Sequence, residues 1–274
     1  MTVLQAVLLG LIQGITEFLP VSSSGHLSIF QNFFGMTGGM RFDALLHLGT
    51  LLGIYTAYRR DIREMLLDCT AFFRRGSHPE PDGVPRFRSA RLLVLILTSA
   101  LPLLLVLPIR RYIGQLFNST VFVGLALILT GAMLYVSDRM ARGRKSAGTM
   151  RMTDALLVGL CQAVATVPGL SSSGTAITAG MACGLERAFA VKFAFLISIP
   201  AVLGANLLAL FDVIGADADW SLLPACLLGT LTAAVAGYFS SFLLRHLVHR
   251  GRFGGFACYC AFAGCVTLVL SFVL

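Results

Sequence analysis

Charged residues are scarce in this sequence, since Asp, Glu, Lys and Arg together make up only 12% of its 274 residues. A soluble domain usually contains about 25% of these residues. Apolar residues reach 57%, and the mean hydropathy is +0.83. This balance excludes an ordinary soluble protein. It predicts an integral membrane protein with roughly six to eight membrane-crossing elements.

Two other features are missing as well. The start, Met1-Thr2-Val3, lacks the charged n-region of a signal peptide, so we expect the first apolar run to remain in the protein. The seven cysteines lack the paired spacing of a metal site. Six of them lie in apolar surroundings, where we interpret them as small apolar residues: Cys161, Cys183, Cys226, Cys258, Cys260 and Cys265.

The formal net charge of +8 comes from basic loops and does not indicate a nucleic-acid partner. Loops 59–91, 138–153 and 245–252 are rich in arginine, whereas 212–219 contains three aspartates and no basic residue. The positive-inside rule therefore places the first three loops in the cytoplasm and the last one outside. The pair Arg110-Arg111 falls outside under this assignment, and the neighbouring loops outweigh it.

Two segments of the chain are copies of one another. Residues 2–26 align without a gap on residues 151–175, and nine positions are identical. The identities include Ser22-Ser23-Ser24-Gly25, which align with Ser171-Ser172-Ser173-Gly174. Chance rarely produces such a match, so we interpret the chain as a duplicated membrane unit. Interrupted apolar segments at corresponding places in two halves point to the functional site.

The duplication predicts an architecture. Uninterrupted apolar spans are expected at 42–58, 91–108, 117–137, 189–211, 221–244 and 253–274. Segment 154–187 has basic flanks on both sides, so it must enter and leave the membrane on one face, and 2–35 should do so from the opposite face. The predicted fold class is an all-α polytopic membrane protein with two inverted repeats, each a re-entrant helical hairpin plus three transmembrane helices. The first repeat is 1–137, the cytoplasmic linker is 138–153, and the inverted second repeat is 154–274.

Residues 13–26, which we call the first serine tip, combine an acid with hydroxyl groups inside an apolar run. Gln13 and Glu17 are four residues apart and share one helix face, and Pro20 ends that helix. Ser22, Ser23, Ser24 and Gly25 then open a new helix near His26, whose N–H groups suit a phosphate. Because an ionisable residue at membrane depth is usually functional, we expect a functional role for Glu17. We expect a base or nucleophile role for His26, since it lies beside Glu17 and the three serines.

The second tip repeats the serines without the acid. Pro168-Gly169 ends one helix, and another helix begins at hydroxyl-bearing residues. Because this tip has no acid and no histidine, we assign it to phosphate binding and not to proton transfer. The alternative is a structural twin that is kept for the fold. The residues of this assignment are Ser171, Ser172, Ser173, Gly174 and Thr175.

Three further polar residues have open or modest interpretations. Asp43 and His47 lie four apart on one helix face, and a mutual hydrogen bond that tethers the helix end competes evenly with a role in the site. Asn206 lies inside an apolar span, where we expect an interhelical hydrogen bond.

At these motifs the chain resembles the bacterial undecaprenyl-pyrophosphate phosphatase family of the bacitracin-resistance type. The resemblance rests on Q-G-I-T-E-F-L-P-V-S-S-S-G-H at 13–26, F-D-A-L-L-H-L-G-T-L-L at 42–52, P-G-L-S-S-S-G-T at 168–175 and K-F-A-F-L-I-S-I-P-A-V-L-G-A at 192–205. It implies a multi-pass protein of the bacterial inner membrane that converts a C55 lipid pyrophosphate to the monophosphate carrier for cell-wall synthesis. It also implies support by a divalent cation, Mg²⁺ or Ca²⁺.

Carried over by position, the resemblance implies Gln13 and Glu17 as the acidic and metal pair. Ser23 and His26 become the nucleophile and the base, and sequence does not decide which of them attacks. Ser171 and Ser173 become phosphate ligands. The family pattern has an arginine where this chain has Ser172, so a non-hydrolytic transporter or flippase of a polyprenyl phosphate stays as the alternative function. A homodimer stays open beside a monomer.

Overall fold

The computed structural model describes residues 1–36, 39–75, 88–140, 143–213, 222–249 and 253–273. Within these ranges the regular structure is helical, apart from one isolated bridge between Lys145 and Leu185. The helices are α1 (Val3–Phe18), α2 (Ser23–Phe33), α3 (Gly39–Arg75), α4 (Arg88–Ala100), α5 (Arg110–Leu116), α6 (Thr120–Arg139), α7 (Met152–Val164), α8 (Ser172–Ala182), α9 (Arg187–Val213), α10 (Leu223–His249) and α11 (Gly254–Val273). The predicted all-α class is confirmed.

Five segments of the described chain are long and apolar enough to cross a membrane: Ser89–Leu116, Thr120–Arg139, Arg187–Leu208, Leu223–Leu243 and Gly254–Val273. The chain is therefore a multi-pass membrane protein. The helices of the two predicted hairpins differ from these spans, because α1 has 16 residues, α7 has 13, and α2 and α8 have 11 each. At 1.5 Å per residue, none of the four helices reaches across a hydrocarbon core of about 30 Å.

The predicted loop 59–91 is wrong over residues 59–75, where α3 continues. The predicted span 42–58 forms only the first part of this 37-residue helix, and Tyr58 departs from helical geometry where the span was expected to end. The helix continues because its apolar face continues: Met65 is buried in the core and Ile62 packs against it. An ion pair between Asp61 and Lys192 also links this part of α3 to α9. Residues 76–87 of the predicted loop lie outside the described residues.

Proline changes the helix type in the second predicted span, 91–108. The α-helix α4 ends at Ala100, and a 3₁₀ segment runs from Leu101 to Ile109 before α5. Pro102 and Pro108 lie in this segment. Because proline has no backbone N–H and its ring clashes with the preceding turn, the two prolines together disfavour a regular α-helix in this segment. The span is still continuous as an apolar segment, Ser89–Leu116.

The packing of the helices follows the sequence repeat. Helix α1 packs along α10, and its repeat partner α7 packs along α4 and the 3₁₀ segment. Equivalent glycines allow both contacts. A Cβ added at Gly10 would lie 2.3 Å from the Gly229 carbonyl oxygen, and one at Gly159 would lie 2.1 Å from the Ser99 carbonyl oxygen. The two halves thus exchange equivalent contacts, as expected for two copies of one unit.

Residues of the predicted cytoplasmic regions meet at one end of the bundle. Lys145 pairs with Asp154 at 2.8 Å, and Arg187 pairs with Asp138 at 3.2 Å. Arg91 donates to the carbonyl of Met150 at 2.9 Å. The ends of loops 59–91 and 138–153 and the start of α9 therefore share one end of the protein. This is the grouping that the charge pattern requires.

Candidate active site

Each serine tip is a helix break closed by a serine N-cap. Helix α1 ends at Phe18, and Ser22 caps α2 by accepting from the Gly25 backbone N–H at 3.2 Å. In the second tip Ser171 caps α8 by accepting from Gly174 N–H at 3.0 Å. A capped helix begins with backbone N–H groups that have no partner inside the helix. Both tips therefore present free donors and the positive end of a helix dipole.

The two tips touch each other reciprocally. A Cβ added at Gly25 would lie 2.9 Å from Cα of Gly169, and one added at Gly174 would lie 3.4 Å from Cβ of Pro20. Under the repeat alignment Gly25 corresponds to Gly174, and Pro20 corresponds to Gly169. Each tip therefore presents the same position to the same place on its partner. The two contacts are therefore equivalent under the repeat alignment.

The tips differ in backbone conformation at the capping serine. Ser22 has φ 68°, whereas Ser171 has φ −75°. Among the described non-glycine residues, Ser22 alone has a positive φ. A serine in this region costs roughly 1–3 kcal/mol and persists only where its surroundings hold it. The first tip is therefore the strained one of the two.

A cavity of about 240 Å³ lies against both tips. Serines of the two halves line it together: Ser23, Ser24, Ser171, Ser172 and Ser173. Other polar residues of the wall are Thr16, Glu17, His47, Gln162, Thr166, Ser198 and Asn206. Ser23 and its repeat equivalent Ser172 therefore line one cavity. No lysine or arginine of the described chain lines this cavity. Glu17 is the one acidic residue among the described lining residues.

Glu17 is the centre of a hydrogen-bond cluster on the cavity wall. Its Oε2 accepts from Ser23 Oγ at 2.6 Å and from Gln13 Nε2 at 2.9 Å. His47 Nδ1 lies 3.4 Å from the same oxygen and 2.9 Å from Gln13 Nε2. The pair Gln13 and Glu17 therefore shares one helix face, as predicted. Ser23 is placed to pass its hydroxyl proton directly to the carboxylate.

His26 lies outside the lining of this cavity. The ring is buried, with Nδ1 2.8 Å from the Ser22 carbonyl and Nε2 2.7 Å from the Tyr259 hydroxyl. A carbonyl can only accept, so Nδ1 carries the proton and donates. Nε2 of the neutral ring then accepts from Tyr259. This arrangement suits a residue that holds the Ser22 backbone, and it keeps both ring nitrogens occupied.

The remaining predicted site residues form the walls behind the lining. Ser22 is buried at the cap, and Gly25 and Gly174 are the contact points between the tips. Thr175 is buried, and its Oγ1 has no hydrogen-bond partner among the described residues. Gln13 is fully buried, and its Oε1 is also without a partner there.

Of the two alternatives for Asp43 and His47 the mutual hydrogen bond does not form, and the expectation for Asn206 is corrected. Asp43 and His47 do not bond to each other: Asp43 accepts from Gln31 at 2.7 Å, and His47 belongs to the cluster around Glu17. Asn206 donates to the Val202 carbonyl of its own helix at 3.0 Å, and its side chain forms no interhelical bond within the described residues. It lines the cavity instead. For His47 the tertiary fold supplied a partner, Gln13, that helix spacing alone does not reveal.

The comparisons with known proteins agree over nearly the whole chain. The family model described as bacitracin resistance protein BacA matches residues 6–266. The chain is 38% identical to an undecaprenyl-diphosphatase of Methanosphaera stadtmanae over 282 residues, covering 99% of each protein. It is also 38% identical to one of Desulforapulum autotrophicum over the full length of both, and 37% identical to one of Korarchaeum cryptofilum over 98% of this chain and all of the relative. The chain belongs to the bacitracin resistance protein BacA family.

Proposed function

We propose that this protein hydrolyses undecaprenyl diphosphate to undecaprenyl phosphate and inorganic phosphate within the cell membrane. The observation that carries this proposal is the 2.6 Å hydrogen bond from Ser23 to Glu17 on the wall of a cavity that two helix N-termini share. A nucleophile beside a base serves bond cleavage, and paired anion sites serve a diphosphate. The names of the relatives support the same reaction.

The chemistry begins at the first tip. Ser23 Oγ attacks the terminal phosphorus as its proton moves to Glu17, and the bond from that phosphorus to the bridging oxygen breaks. Undecaprenyl phosphate leaves, and water then hydrolyses the phosphoserine to return Ser23 and release inorganic phosphate. Glu17 alternates between accepting and returning a proton. The geometry favours Ser23 over His26 as the attacking group, since His26 is engaged with Ser22 and Tyr259.

The two tips hold the diphosphate from both sides. The first two backbone amides of α2, at Ser23 and Ser24, have no acceptor inside the helix, and the same holds for Ser172 and Ser173 in α8. Each helix end offers partial positive charge to one phosphate. The hydroxyls of Ser171 and Ser173 add donors. The prenyl chain stays in lipid between the helices.

The cavity fits a divalent cation, Mg²⁺ or Ca²⁺. The wall has a carboxylate but no lysine or arginine in the described chain, and the buried Oε1 of Gln13 has no partner. Carboxylate and amide oxygens are the ligands that these hard cations prefer, and Mg²⁺ often takes few protein ligands together with substrate phosphates. Glu17 and Gln13 would hold the ion. When bound, it would supply the positive charge that phosphoryl transfer needs at the phosphate oxygens.

We also propose that the second half is inverted relative to the first, with repeats 1–137 and 154–274 joined by a cytoplasmic linker at 138–153. The reciprocal contact of the tips and the gathering of basic regions at one end support this arrangement. On this arrangement in the bacterial inner membrane we expect residue 215, which lies outside the described residues, to be accessible from outside. A cysteine at this position should react with an impermeant label added to intact cells. Reaction from the cytoplasmic side alone contradicts the inversion.

One chain supplies the whole cavity, so a homodimer is not required for the reaction.

Transport without hydrolysis is the less favoured function. A carrier needs no nucleophile next to a base, and the relatives are named for the hydrolytic reaction. Within the described chain, no lysine or arginine lines the cavity. A variant that adds an arginine there can therefore help to distinguish hydrolysis from transport.

Replacing Ser172 with arginine should tighten substrate binding, with a fall in KM of about tenfold. Ser172 is exposed and lines the cavity, so a longer side chain has room there. A guanidinium matches two phosphate oxygens at once and is always charged. The measurement is phosphate release against substrate concentration, with Ser172→Gln as the uncharged control. A higher KM for Ser172→Arg than for Ser172→Gln would show that another cation already occupies this place.

Removing the Tyr259 hydroxyl should lower kcat about tenfold while KM changes little. Tyr259→Phe leaves His26 Nε2 without its donor, which loosens the ring that holds the strained Ser22 backbone. Tyr112→Phe is the control, because Tyr112 is 70% exposed. His26→Asn, which keeps an N–H near the Nδ1 position, should retain more turnover than His26→Gln. Equal loss in both histidine variants contradicts a positioning role.

A further inference from the structure

Gln162 is a buried amide on the cavity wall that the reaction described above does not use. It is 4% exposed, its Oε1 has no partner, and its side chain forms no hydrogen bond within the described residues. The equivalent residue of the first repeat, Gln13, is engaged with Glu17 and His47. Buried side-chain amides are nearly always hydrogen-bonded, so an unpaired one beside a cavity calls for a ligand.

The surroundings of Gln162 cannot carry proton transfer. Thr166 takes the place that Glu17 has in the first repeat, and its hydroxyl donates to the Ala163 carbonyl at 2.7 Å. Among the described residues, this side of the cavity therefore has a helix N-terminus, serine hydroxyls and the amide of Gln162, but no base. The two sides are alike in their capacity to bind an anion and unlike in their capacity to activate a nucleophile.

We propose that Gln162 binds the phosphate that stays on the lipid. This inference rests on the proposed function and assigns the two phosphates of the substrate to the two tips. The terminal phosphate lies at Ser23, where the nucleophile and base are. The lipid-linked phosphate lies at the N-terminus of α8, where Gln162 Nε2 donates to one of its oxygens. Gln162 Oε1 is enclosed by protein and takes no part in this contact.

The assignment has a consequence for the product. Undecaprenyl phosphate keeps only the phosphate that Gln162 holds, so Gln162 contributes equally to binding of substrate and product. Interactions of this kind change KM and product affinity together and leave kcat largely unchanged. Gln13 acts through Glu17 at the other tip, so its loss should change kcat and not product affinity. The repeat thereby provides a matched pair of variants.

The experiment measures binding of undecaprenyl monophosphate to the purified full chain, together with kcat and KM for the diphosphate. Gln162→Leu keeps the side-chain volume and should weaken monophosphate affinity and raise KM by about tenfold or more. Gln162→Glu should weaken both further, because it places a carboxylate against the phosphate. Gln13→Leu should lower kcat with monophosphate affinity near that of the unaltered protein. Thermal melting identifies any variant that fails to fold. If one of Gln162→Leu and Gln162→Glu fails to fold, the other still tests the assignment.

Wild-type monophosphate affinity in folded Gln162→Leu and Gln162→Glu overturns the assignment, as does equal weakening by Gln13→Leu. If the unaltered protein releases no phosphate, the proposed function fails. If it releases phosphate and Gln162 does not affect the monophosphate, only this inference fails.

Discussion

Replacing Glu17 with glutamine is expected to lower phosphate release by about 10³-fold or more. The carboxylate accepts from Ser23 Oγ at 2.6 Å, and an amide cannot take the proton that Ser23 must lose. General-base catalysis contributes roughly 10²–10⁴-fold, and the same residue is the carboxylate that would hold the divalent ion. Both contributions disappear together in Glu17→Gln. The assay is phosphate release by purified protein at saturating substrate.

The fold should survive this change, because a neutral amide is tolerated in an apolar surrounding at least as well as a carboxylate. Glu64→Gln is the matched control, since Glu64 is exposed on α3 and far along the helix from the cavity residues Ala44 and His47. We expect Glu64→Gln to release phosphate at the rate of the unaltered protein. Turnover in folded Glu17→Gln within tenfold of that rate contradicts the assigned site.

Replacing Gly25 with alanine is expected to lower turnover by about 10²-fold. The new Cβ would lie 2.9 Å from Cα of Gly169 and 3.0 Å from Ser22 Oγ, so the two tips must move apart. Cβ contacts below 3.0 Å are essentially never observed, and Gly169 is held in turn because a Cβ there would lie 2.6 Å from the Val123 carbonyl oxygen. A displacement of about 1 Å at a reacting group costs about 10²-fold.

Gly204→Ala provides the control for the Gly25→Ala experiment. Its added Cβ meets nothing within 4 Å, and alanine is the better helix former by about 1 kcal/mol. The thermal midpoint of Gly204→Ala should therefore stay the same or rise, with full turnover. The midpoint of Gly25→Ala should fall in spite of the same gain in helix propensity. Full turnover in Gly25→Ala means that the contact between the tips does not shape the cavity.

Local sequence signals predicted the parts of the site that local chemistry defines. Proline and serine caps mark where α1 ends and α2 begins, because proline cannot continue a helix and serine satisfies a free N–H. The repeat added the second tip at a distance of about half the chain. An apolar run with a single acid then identified Glu17. These signals pointed to the two serine segments that the structure brings to one cavity.

Contacts between distant elements could not be predicted in this way. Tyr259 reaches His26 from 233 positions further along the chain, and no periodicity in α11 marks it. The position of Asn206 inside an apolar span fits an interhelical hydrogen bond as well as it fits a place at the cavity. Only the path of α9 places it at the cavity. Gln162 did have a signal, since it is identical to Gln13 in the repeat. Its role depends on the lack of a partner, which only the structure reveals.

The predicted end of the span at residue 58 was wrong for a related reason. Basic residues after Tyr58 indicate a cytoplasmic position, and they say nothing about whether the backbone stays helical there. The helix continues because Met65 and Ile62 remain on the buried face and Asp61 pairs with Lys192. Loop charge bears on the side of the membrane, while packing decided the secondary structure.

The most direct test of the central claim is the fate of undecaprenyl diphosphate with the purified protein, with Mg²⁺ and with a chelator. We expect one inorganic phosphate and one undecaprenyl monophosphate for each lipid consumed, loss of turnover on chelation, and recovery when Mg²⁺ is restored. If the protein releases no phosphate with Mg²⁺ or Ca²⁺ present, yet moves the lipid phosphate across a vesicle membrane, the account of this cavity as a hydrolytic site is contradicted.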